Sequence, residues 1–186
     1  PVKKIKNQKD AENITDLTYS HVNYINKKSK SEKIKDDIRI AKAFCFANGV
    51  YGAESYVNGF SGYALELLIC YYGSFLNFVK AMTKVSDKLI IDIEKDYKNK
   101  QEIMMDVNSA KLASPIILID PTYKQRNALA ALSTETFEKF KEICKDFLKN
   151  PSMNAFEIKK IDLEKIKKNA QKNKNEFILL EAFTDR

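Results

Sequence analysis

Apolar residues in the first half of the chain recur every three or four positions, the spacing of one face of an α-helix. This spacing predicts a helix around residues 14–25 and a second that begins at an N-cap, Ser31, and ends at Gly49. A third helix should begin at Ser61. Because Gly73-Ser74 interrupts its pattern before the apolar spacing resumes, two helices should meet there at a sharp bend.

The pattern changes in the second half of the chain. Two short β-branched runs, at 88–93 and 115–120, are separated by a polar, lysine-rich stretch and predict a strand pair with a long loop. Helical spacing returns at 127–132 and again between Ser133 and Asn150, where Pro151 ends it. These elements predict a mainly α protein of the α+β type, with a helical domain over residues 1–150 that carries a small β-hairpin.

The composition shifts at Pro151. Residues 151–186 predict a lysine-rich linker, a short helix capped by Asp162, and one strand at 176–183. A strand in this place has no later partner in the chain, so it should open a domain that continues beyond Arg186 or pair elsewhere. The first residue is Pro1 and not methionine, which indicates a trimmed chain or an excised domain.

All five glycines of the 186 residues lie between positions 49 and 73. Glycine allows positive φ and close approach of the backbone, so crowding every copy into one stretch indicates a specialised backbone there. The stretch is also poor in charge, since residues 49–92 hold three lysines and four acids. A neutral, aromatic, glycine-rich centre between lysine-rich flanks is typical of a ligand-facing surface.

The overall charge and the cysteines limit the function classes. The formal net charge of +7 fits an anionic partner, but it fits an ordinary lysine-rich solvated surface equally well. Three scattered cysteines match no metal spacing and indicate reduced core thiols of a cytosolic protein. The longest apolar run, 64–72, is far shorter than the roughly 20 residues of a membrane span, so a soluble protein is expected.

The polar and charged residues of the sequence indicate a binding site and form no recognisable catalytic set. The single histidine, His21, lies on a predicted helix, where a structural role is the commoner one. Asp36 and Asp37 are adjacent, hence on diverging faces, and indicate surface acids. Cations on a helix that faces an aromatic glycine turn can hold a nucleotide. The residues of this kind are Arg39, Lys42, Tyr51 and Arg126, although each taken alone fits an ordinary solvated side chain.

A succession of motifs makes the sequence specific, and with them the chain from about residue 10 onwards closely resembles the archaeal class I CCA-adding enzymes. Those are tRNA nucleotidyltransferases that build or repair the 3′-terminal CCA of tRNA from CTP and ATP without a nucleic-acid template. The motifs that carry the resemblance are His21, Asp37–Phe44, Gly49–Glu54, Gly59–Tyr63, Glu66–Leu68, Tyr72–Phe75, Asp120-Pro121 and Arg126–Ser133.

The resemblance implies which part of such an enzyme this chain is. The family has a catalytic head with the metal-binding carboxylates, a helical central or neck domain of the poly(A) polymerase/oligoadenylate synthetase substrate-binding type, and further domains that grip tRNA. This chain looks like the central domain followed by the first strand of a truncated ferredoxin-like domain. The head would then be absent, and with it the Mg²⁺ that the family uses, so the fragment itself should be inactive.

The resemblance also implies site residues. Thr18, His21, Lys42 and Tyr51 match positions that contact the incoming nucleotide, and Arg126 matches the arginine that approaches the triphosphate and helps to select C or A. Supporting roles are expected for Arg39, Gly49, Gly52, Glu54, Asp120 and Asn127.

The chain departs from the family pattern near the start of the neck domain and at one later position. The usual Arg-Thr-Pro-Phe-His is Leu-Thr-Tyr-Ser-His at 17–21, the segment between His21 and Lys42 is slightly longer, and a common tryptophan near position 84 is missing.

The resemblance also implies the partners, which are the 3′ acceptor end of tRNA together with CTP and ATP. It implies a cytoplasmic enzyme whose full-length form is a homodimer.

Two other functions fit the same residues. One is a stand-alone RNA-binding or assembly module of a split enzyme. The other is a nucleotidyltransferase of the wider poly(A) polymerase group with a different acceptor, which would add A alone to any RNA.

Overall fold

The computed structural model describes residues 17–108, 111–158, 163–173 and 175–179. Within these ranges the chain is mainly helical with one small sheet, which confirms the α+β class. None of the described helices combines the length and the apolar composition that a membrane crossing requires. The elements in chain order are α1 (Thr18–Lys28), α2 (Glu32–Ala47), α3 (Gly62–Tyr72), α4 (Phe75–Met82), β1 (Leu89–Ile91), α5 (Lys100–Asp106), β2 (Ile116–Asp120), β3 (Tyr123–Asn127), α6 (Thr134–Lys149), a 3₁₀ helix (Met153–Phe156) and α7 (Leu163–Lys172).

Helix α3 lies at the centre of the helical core. It is apolar almost all round, and such a helix is stable only when it is covered on most sides. Helices α1, α2 and α4 pack against it. Next to it, the ring of the fully buried Phe44 contacts four other phenylalanine rings, those of Phe75, Phe140, Phe147 and Phe156.

The predicted bend between α3 and α4 is confirmed. Gly73 ends α3 with φ +75°, and the Ser74 side chain accepts a hydrogen bond from the Asn77 N–H at the start of α4. Asp37 on α2 adds to this junction, because its Oδ1 accepts the Phe75 N–H at 2.9 Å. The interpretation of Asp37 as a surface acid is therefore wrong: it satisfies a donor in the first turn of a neighbouring helix, where a negative charge also suits the helix dipole.

The sheet has the order β1-β2-β3, and its pairing differs from the prediction. The two predicted strands pair in parallel, with Leu89 opposite Ile116, because α5 forms a crossover between them. The hairpin is instead made by β2 and β3, which pair antiparallel. The helix predicted at 127–132 is also wrong, since Asn127 ends β3 and turns follow it.

Strand β2 is buried along its whole length because both faces of the sheet are covered. Ile116 and Leu118 face the main helical core, whereas Ile117 and Ile119 pack in a smaller cluster with residues around α5. This alternation explains why the strand is an uninterrupted apolar run and not an alternating one.

The end of the chain is described only in part. Helix α7 confirms the predicted short helix, while its predicted cap Asp162 lies outside the described residues. Residues 175–179 form no strand, and the remainder of the predicted strand at 176–183 lies outside the described part. The domain boundary at residue 150 stays a prediction.

The glycine-rich segment is a closed loop whose backbone groups pair across it. Phe60 N–H donates to Val50 O at 2.9 Å, and Gly59 N–H donates to Gly52 O at 2.8 Å. A Cβ at Gly59 would lie 2.1 Å from Val50 O. Side chains are therefore excluded at Gly59 by a neighbouring main chain, which cannot move aside as a flexible side chain could.

Replacing Gly59 by alanine should consequently destabilise the fold by about 3 kcal/mol, near the upper end of overpacking effects. Gly73→Ala is the matched control: nothing lies within 4 Å of its Cβ, so only the left-handed backbone is strained, at about 1 to 2 kcal/mol. Urea unfolding of both variants measures the difference. Equal loss of stability in the two variants would contradict the close-packed loop.

Candidate functional site

A buried carboxylate, Asp120, lies at the centre of the candidate site. It ends β2 and has no exposed surface. Its Oδ1 accepts the N–H of Thr122 at 2.9 Å and the Thr122 hydroxyl at 2.8 Å, which is the local turn that an aspartate makes with the residue two positions on. The Tyr63 hydroxyl, from the first turn of α3, donates to the same oxygen at 3.0 Å.

The other oxygen of Asp120 binds two predicted site residues. His21 on α1 places Nε2 3.1 Å from Oδ2, and Arg126 on β3 donates from Nη1 to Oδ2 at 2.5 Å. In the sequence, His21 precedes Asp120 by 99 positions and Arg126 by 105 positions. The structure thus brings two of the five predicted nucleotide contacts together on one carboxylate.

These contacts keep Asp120 ionised. Burial alone would raise the pKa of its carboxyl group, but the hydrogen bonds from His21 and Thr122 outweigh burial and lower the pKa from 3.8 to about 2. A carboxylate offers about four lone-pair sites, and Asp120 receives five donor groups. It is therefore suited to hold its neighbours in place and not to exchange protons with a substrate.

The Tyr63 ring forms one wall of this cluster. It stacks on His21 with ring centroids 3.9 Å apart and planes inclined by 21°. The Arg126 guanidinium carbon lies 6.0 Å from the centre of the Tyr63 ring. Burial, followed by the charge of Asp120, raises the pKa of the Tyr63 hydroxyl well above its ordinary value, so the hydroxyl remains a donor.

Lys42 and Tyr51 form a second group at the N-terminus of α3. Lys42 Nζ donates to Glu66 Oε1 at 2.5 Å, and both side chains are partly exposed. A Cβ on Gly62 would lie 2.8 Å from the Tyr51 hydroxyl and 3.7 Å from Lys42 Cε. The glycine at 62 therefore lets the tyrosine and the lysine approach the start of α3 closely.

The first turn of α3 joins the two groups. Gly62 contacts the Lys42 group and Tyr63 contacts the Asp120 group, and consecutive residues are only about 3.8 Å apart along the backbone. Thr18 is exposed at the start of α1, one turn before His21. The five predicted contacts are thus arranged as His21 with Arg126 and Lys42 with Tyr51, with Thr18 one helical turn from His21.

The predicted supporting residues have different surroundings. Arg39 forms an exposed ion pair with Asp36 on its own helix, as an ordinary solvated charge does. Asn127 is buried, and its Oδ1 accepts the N–H groups of Leu118 and Leu129, which holds β3 to β2.

The remaining supporting residues belong to the glycine loop. Gly49 and Gly52 have φ of +66° and +126°, and an added Cβ on Gly52 would meet the exposed Glu54 carboxylate. This loop fixes the direction in which Tyr51 leaves the backbone.

Three residues of the site escaped the sequence prediction: Tyr63, Thr122 and Glu66. Glu66 is the only acid in the apolar run at 64–72, and a half-buried acid requires a cation nearby. Thr122 follows Asp120-Pro121, a typical turn sequence. For Tyr63 no pattern in the sequence indicates a contact with His21, which lies 42 positions earlier on another helix.

The resemblance implies that Mg²⁺ binds in the head, outside this chain, and the described residues of the site do not fit that ion. No group of three or more His, Cys, Asp or Glu side chains that could hold a metal occurs among the described residues. The buried carboxylate of the site, Asp120, already uses its lone pairs on five donors.

Asp120→Asn should destabilise the chain by about 3 kcal/mol at neutral pH, because His21 and Arg126 lose the charge that they share. The pH dependence should change as well. Since the folded-state pKa lies below the ordinary 3.8, the charge of Asp120 stabilises the fold above that pH, and this contribution is lost as the pH falls towards about 2.

Acid titration of the unfolding free energy tests this expectation. Between about pH 5 and about pH 2 the wild type should lose about 2 kcal/mol more than Asp120→Asn does. Asp87→Asn, at an exposed position, is the control and should stay within about 0.5 kcal/mol of the wild type. Parallel pH profiles for the wild type and Asp120→Asn would contradict the role of the charge.

Comparison with known proteins assigns the chain to a family. Residues 36–157 match the family described as tRNA nucleotidyltransferase, second domain. A CCA-adding enzyme from Nanoarchaeum equitans is 40% identical over 137 residues, which are 74% of this chain and 34% of that enzyme. The CCA-adding enzymes of Archaeoglobus fulgidus and Saccharolobus shibatae are 33% and 36% identical over 90% of this chain, and over 36% and 37% of their own lengths.

The chain spans about a third of the length of these curated relatives. The family match covers the described helical core from α2 to the 3₁₀ helix, including Lys42, Tyr51, Tyr63, Asp120 and Arg126. The chain therefore belongs to the family of tRNA nucleotidyltransferase second domains.

Proposed function

We propose that this chain is the nucleotide- and tRNA-binding central part of an enzyme that adds or repairs the 3′-terminal CCA of tRNA with CTP and ATP. One observation carries the proposal: side chains matched to nucleotide contacts lie in two groups that both meet the first turn of α3, at Gly62 and at Tyr63. The names of the relatives, all CCA-adding enzymes, supply the reaction.

Lys42 and Arg126 are suited to bind the triphosphate in different ways. Lys42 is paired with Glu66 at a partly exposed position, so a triphosphate can compete for its ammonium group. Arg126 donates to Asp120 from Nη1 alone, and a guanidinium has five N–H groups. Its fork can therefore remain anchored while other N–H groups reach phosphate oxygens, which would keep the triphosphate in a fixed position for attack by the RNA 3′-hydroxyl.

Tyr51 is suited to a ring contact with the nucleotide. The residue is half-buried, its backbone is fixed by a bridge to Phe60, and its ring packs edge-on against the exposed Phe46. Stacking on a base or packing against a sugar needs such a fixed aromatic side chain. His21, stacked on Tyr63, and Thr18, one helical turn before it, would complete the contacts.

Several further expectations stay predictions. They are the domain limits at 1–150 and 151–186, a catalytic head that binds Mg²⁺ outside this chain, a homodimer of the full-length enzyme, and a cytoplasmic location.

In the full-length enzyme, Lys42→Ala and Arg126→Ala should each lower kcat/KM for CTP and ATP by about ten- to a hundredfold. The reason is that a hydrogen bond to a charged group contributes about 1.5 to 3 kcal/mol. Tyr51→Ala should lose about 1 to 3 kcal/mol of stacking if its ring meets the base. Steady-state kinetics with tRNA that lacks CCA gives these values.

The controls are Lys80→Ala and Lys98→Ala, at exposed positions, which should change kcat/KM by no more than about twofold. Circular dichroism checks that Arg126→Ala still folds after Asp120 has lost one of its donors. If Lys42→Ala and Arg126→Ala behave like the controls in folded protein, both residues are ordinary solvated charges and the proposed site is wrong.

This 186-residue chain by itself should transfer no nucleotide, because the described carboxylates form no set that could hold the two metal ions used in such transfers. Incubation with CTP, ATP, magnesium and tRNA that lacks CCA should leave the tRNA unlabelled. Incorporation by the pure chain would refute this prediction. Addition of A alone to unrelated RNA by the full-length enzyme would instead favour a poly(A) polymerase-like function.

A further inference from the structure

Two donors share one oxygen of Asp120, which determines where the proton of His21 lies. Arg126 Nη1 and His21 Nε2 both approach Oδ2, and the two nitrogens are 3.4 Å apart. An ionised carboxylate only accepts hydrogen bonds, and an arginine only donates them. His21 must therefore carry a proton on Nε2, and the contact between the two nitrogens is one of neighbouring donors and not a hydrogen bond.

Tyr63 contacts both partners in this arrangement. Its hydroxyl donates to Oδ1 of Asp120 at 3.0 Å, while its ring lies 3.9 Å from the ring of His21 in a nearly parallel stack. The hydroxyl helps to fix the plane of the carboxylate, and the ring fixes the plane of the imidazole. The Nε2–H bond is thereby aimed at Oδ2 from a single direction.

We propose that Tyr63 is a positioning residue of the site: with Asp120 it holds the His21 ring in one orientation, with the proton on Nε2. Nδ1 is then the ring nitrogen that Asp120 does not contact. His21 consequently offers a nucleotide its Nδ1 edge in one fixed orientation. This last step rests on the proposed function, whereas the position of the proton does not.

The single histidine of the chain makes the position of the proton directly measurable. Two-dimensional ¹H–¹⁵N NMR of the uniformly ¹⁵N-labelled chain shows one imidazole and distinguishes its two tautomers by the nitrogen shifts. At a pH where the ring is neutral, we expect a protonated Nε2 and an unprotonated Nδ1. A neutral ring with its proton on Nδ1 and none on Nε2 would overturn the proposal.

Variants of Tyr63 test whether this residue orients the His21 ring. Tyr63→Leu removes the ring and the hydroxyl, and should give averaged nitrogen shifts from a mixture of tautomers. Tyr63→Phe keeps the ring, so the Nε2–H tautomer should persist. Its proton resonance should shift, because Asp120 has lost one of its competing donors.

Tyr72→Phe is the matched control. It makes the same change on the same helix, at a half-buried tyrosine whose ring contacts are with Tyr71 and Phe78 and not with His21, and it should leave the imidazole signals unchanged. Wild-type imidazole signals in folded Tyr63→Leu would overturn the proposal. If Tyr63→Leu does not fold, Tyr63→Phe decides, and unchanged His21 signals there would overturn it as well.

Kinetics separates this proposal from the proposed function. In the full-length enzyme Tyr63→Leu should raise KM for CTP about tenfold with less change in kcat, and Tyr63→Phe should restore most of the loss, because the residue acts through binding groups and not on the reacting atoms. An Nε2–H tautomer that depends on Tyr63, together with no effect on any nucleotide constant, would support the positioning role and contradict the nucleotide site.

Discussion

The buried charge of Asp120 is the constraint on which the rest of the site depends. An ionised carboxylate inside a protein is tolerated only when donors surround it, and here they come from α1, α3, β3 and the turn after β2. These segments must therefore be in place before the charge is satisfied. The same contacts stabilise the fold and orient His21 and Arg126, so stability and function at this position are not separable by simple removal of the charge.

The ion pair of Lys42 and Glu66 has a different character. Both side chains are partly exposed, so water can replace either partner at small cost, whereas the partners of Asp120 cannot be replaced in this way. The contacts of Asp120 are therefore permanent parts of the fold, whereas the Lys42–Glu66 ion pair can open to bind another group. Helix α3 can join them because its apolar length is fixed in the core and its first turn, with Gly62 and Tyr63, reaches both groups.

Much of the fold follows from local patterns in the sequence. Helical spacing and Gly73 place α2, α3, α4 and α6 correctly because those features act within a few residues, and serine side chains cap α3, α4 and α6. Ser31 stands at the start of α2 but makes no side-chain cap hydrogen bond. Strand β3 escaped prediction, since Tyr123–Asn127 is a polar strand that is stabilised by pairing with β2 and not by its own composition. The parallel pairing of β1 and β2 depends on α5, whose short polar sequence gives no strong helical period.

In the site, too, local sequence indicates individual residues but not their long-range contacts. The resemblance to CCA-adding enzymes indicated His21 and Arg126, but only the three-dimensional structure brings them to Asp120 and adds Tyr63 across long sequence separations. A crystal structure of the full-length enzyme with CTP tests the central claim most directly. It should show triphosphate oxygens within hydrogen-bond distance of Lys42 and Arg126 while Asp120 retains its donors. CTP bound away from both cations, or His21 released from Asp120, would contradict it.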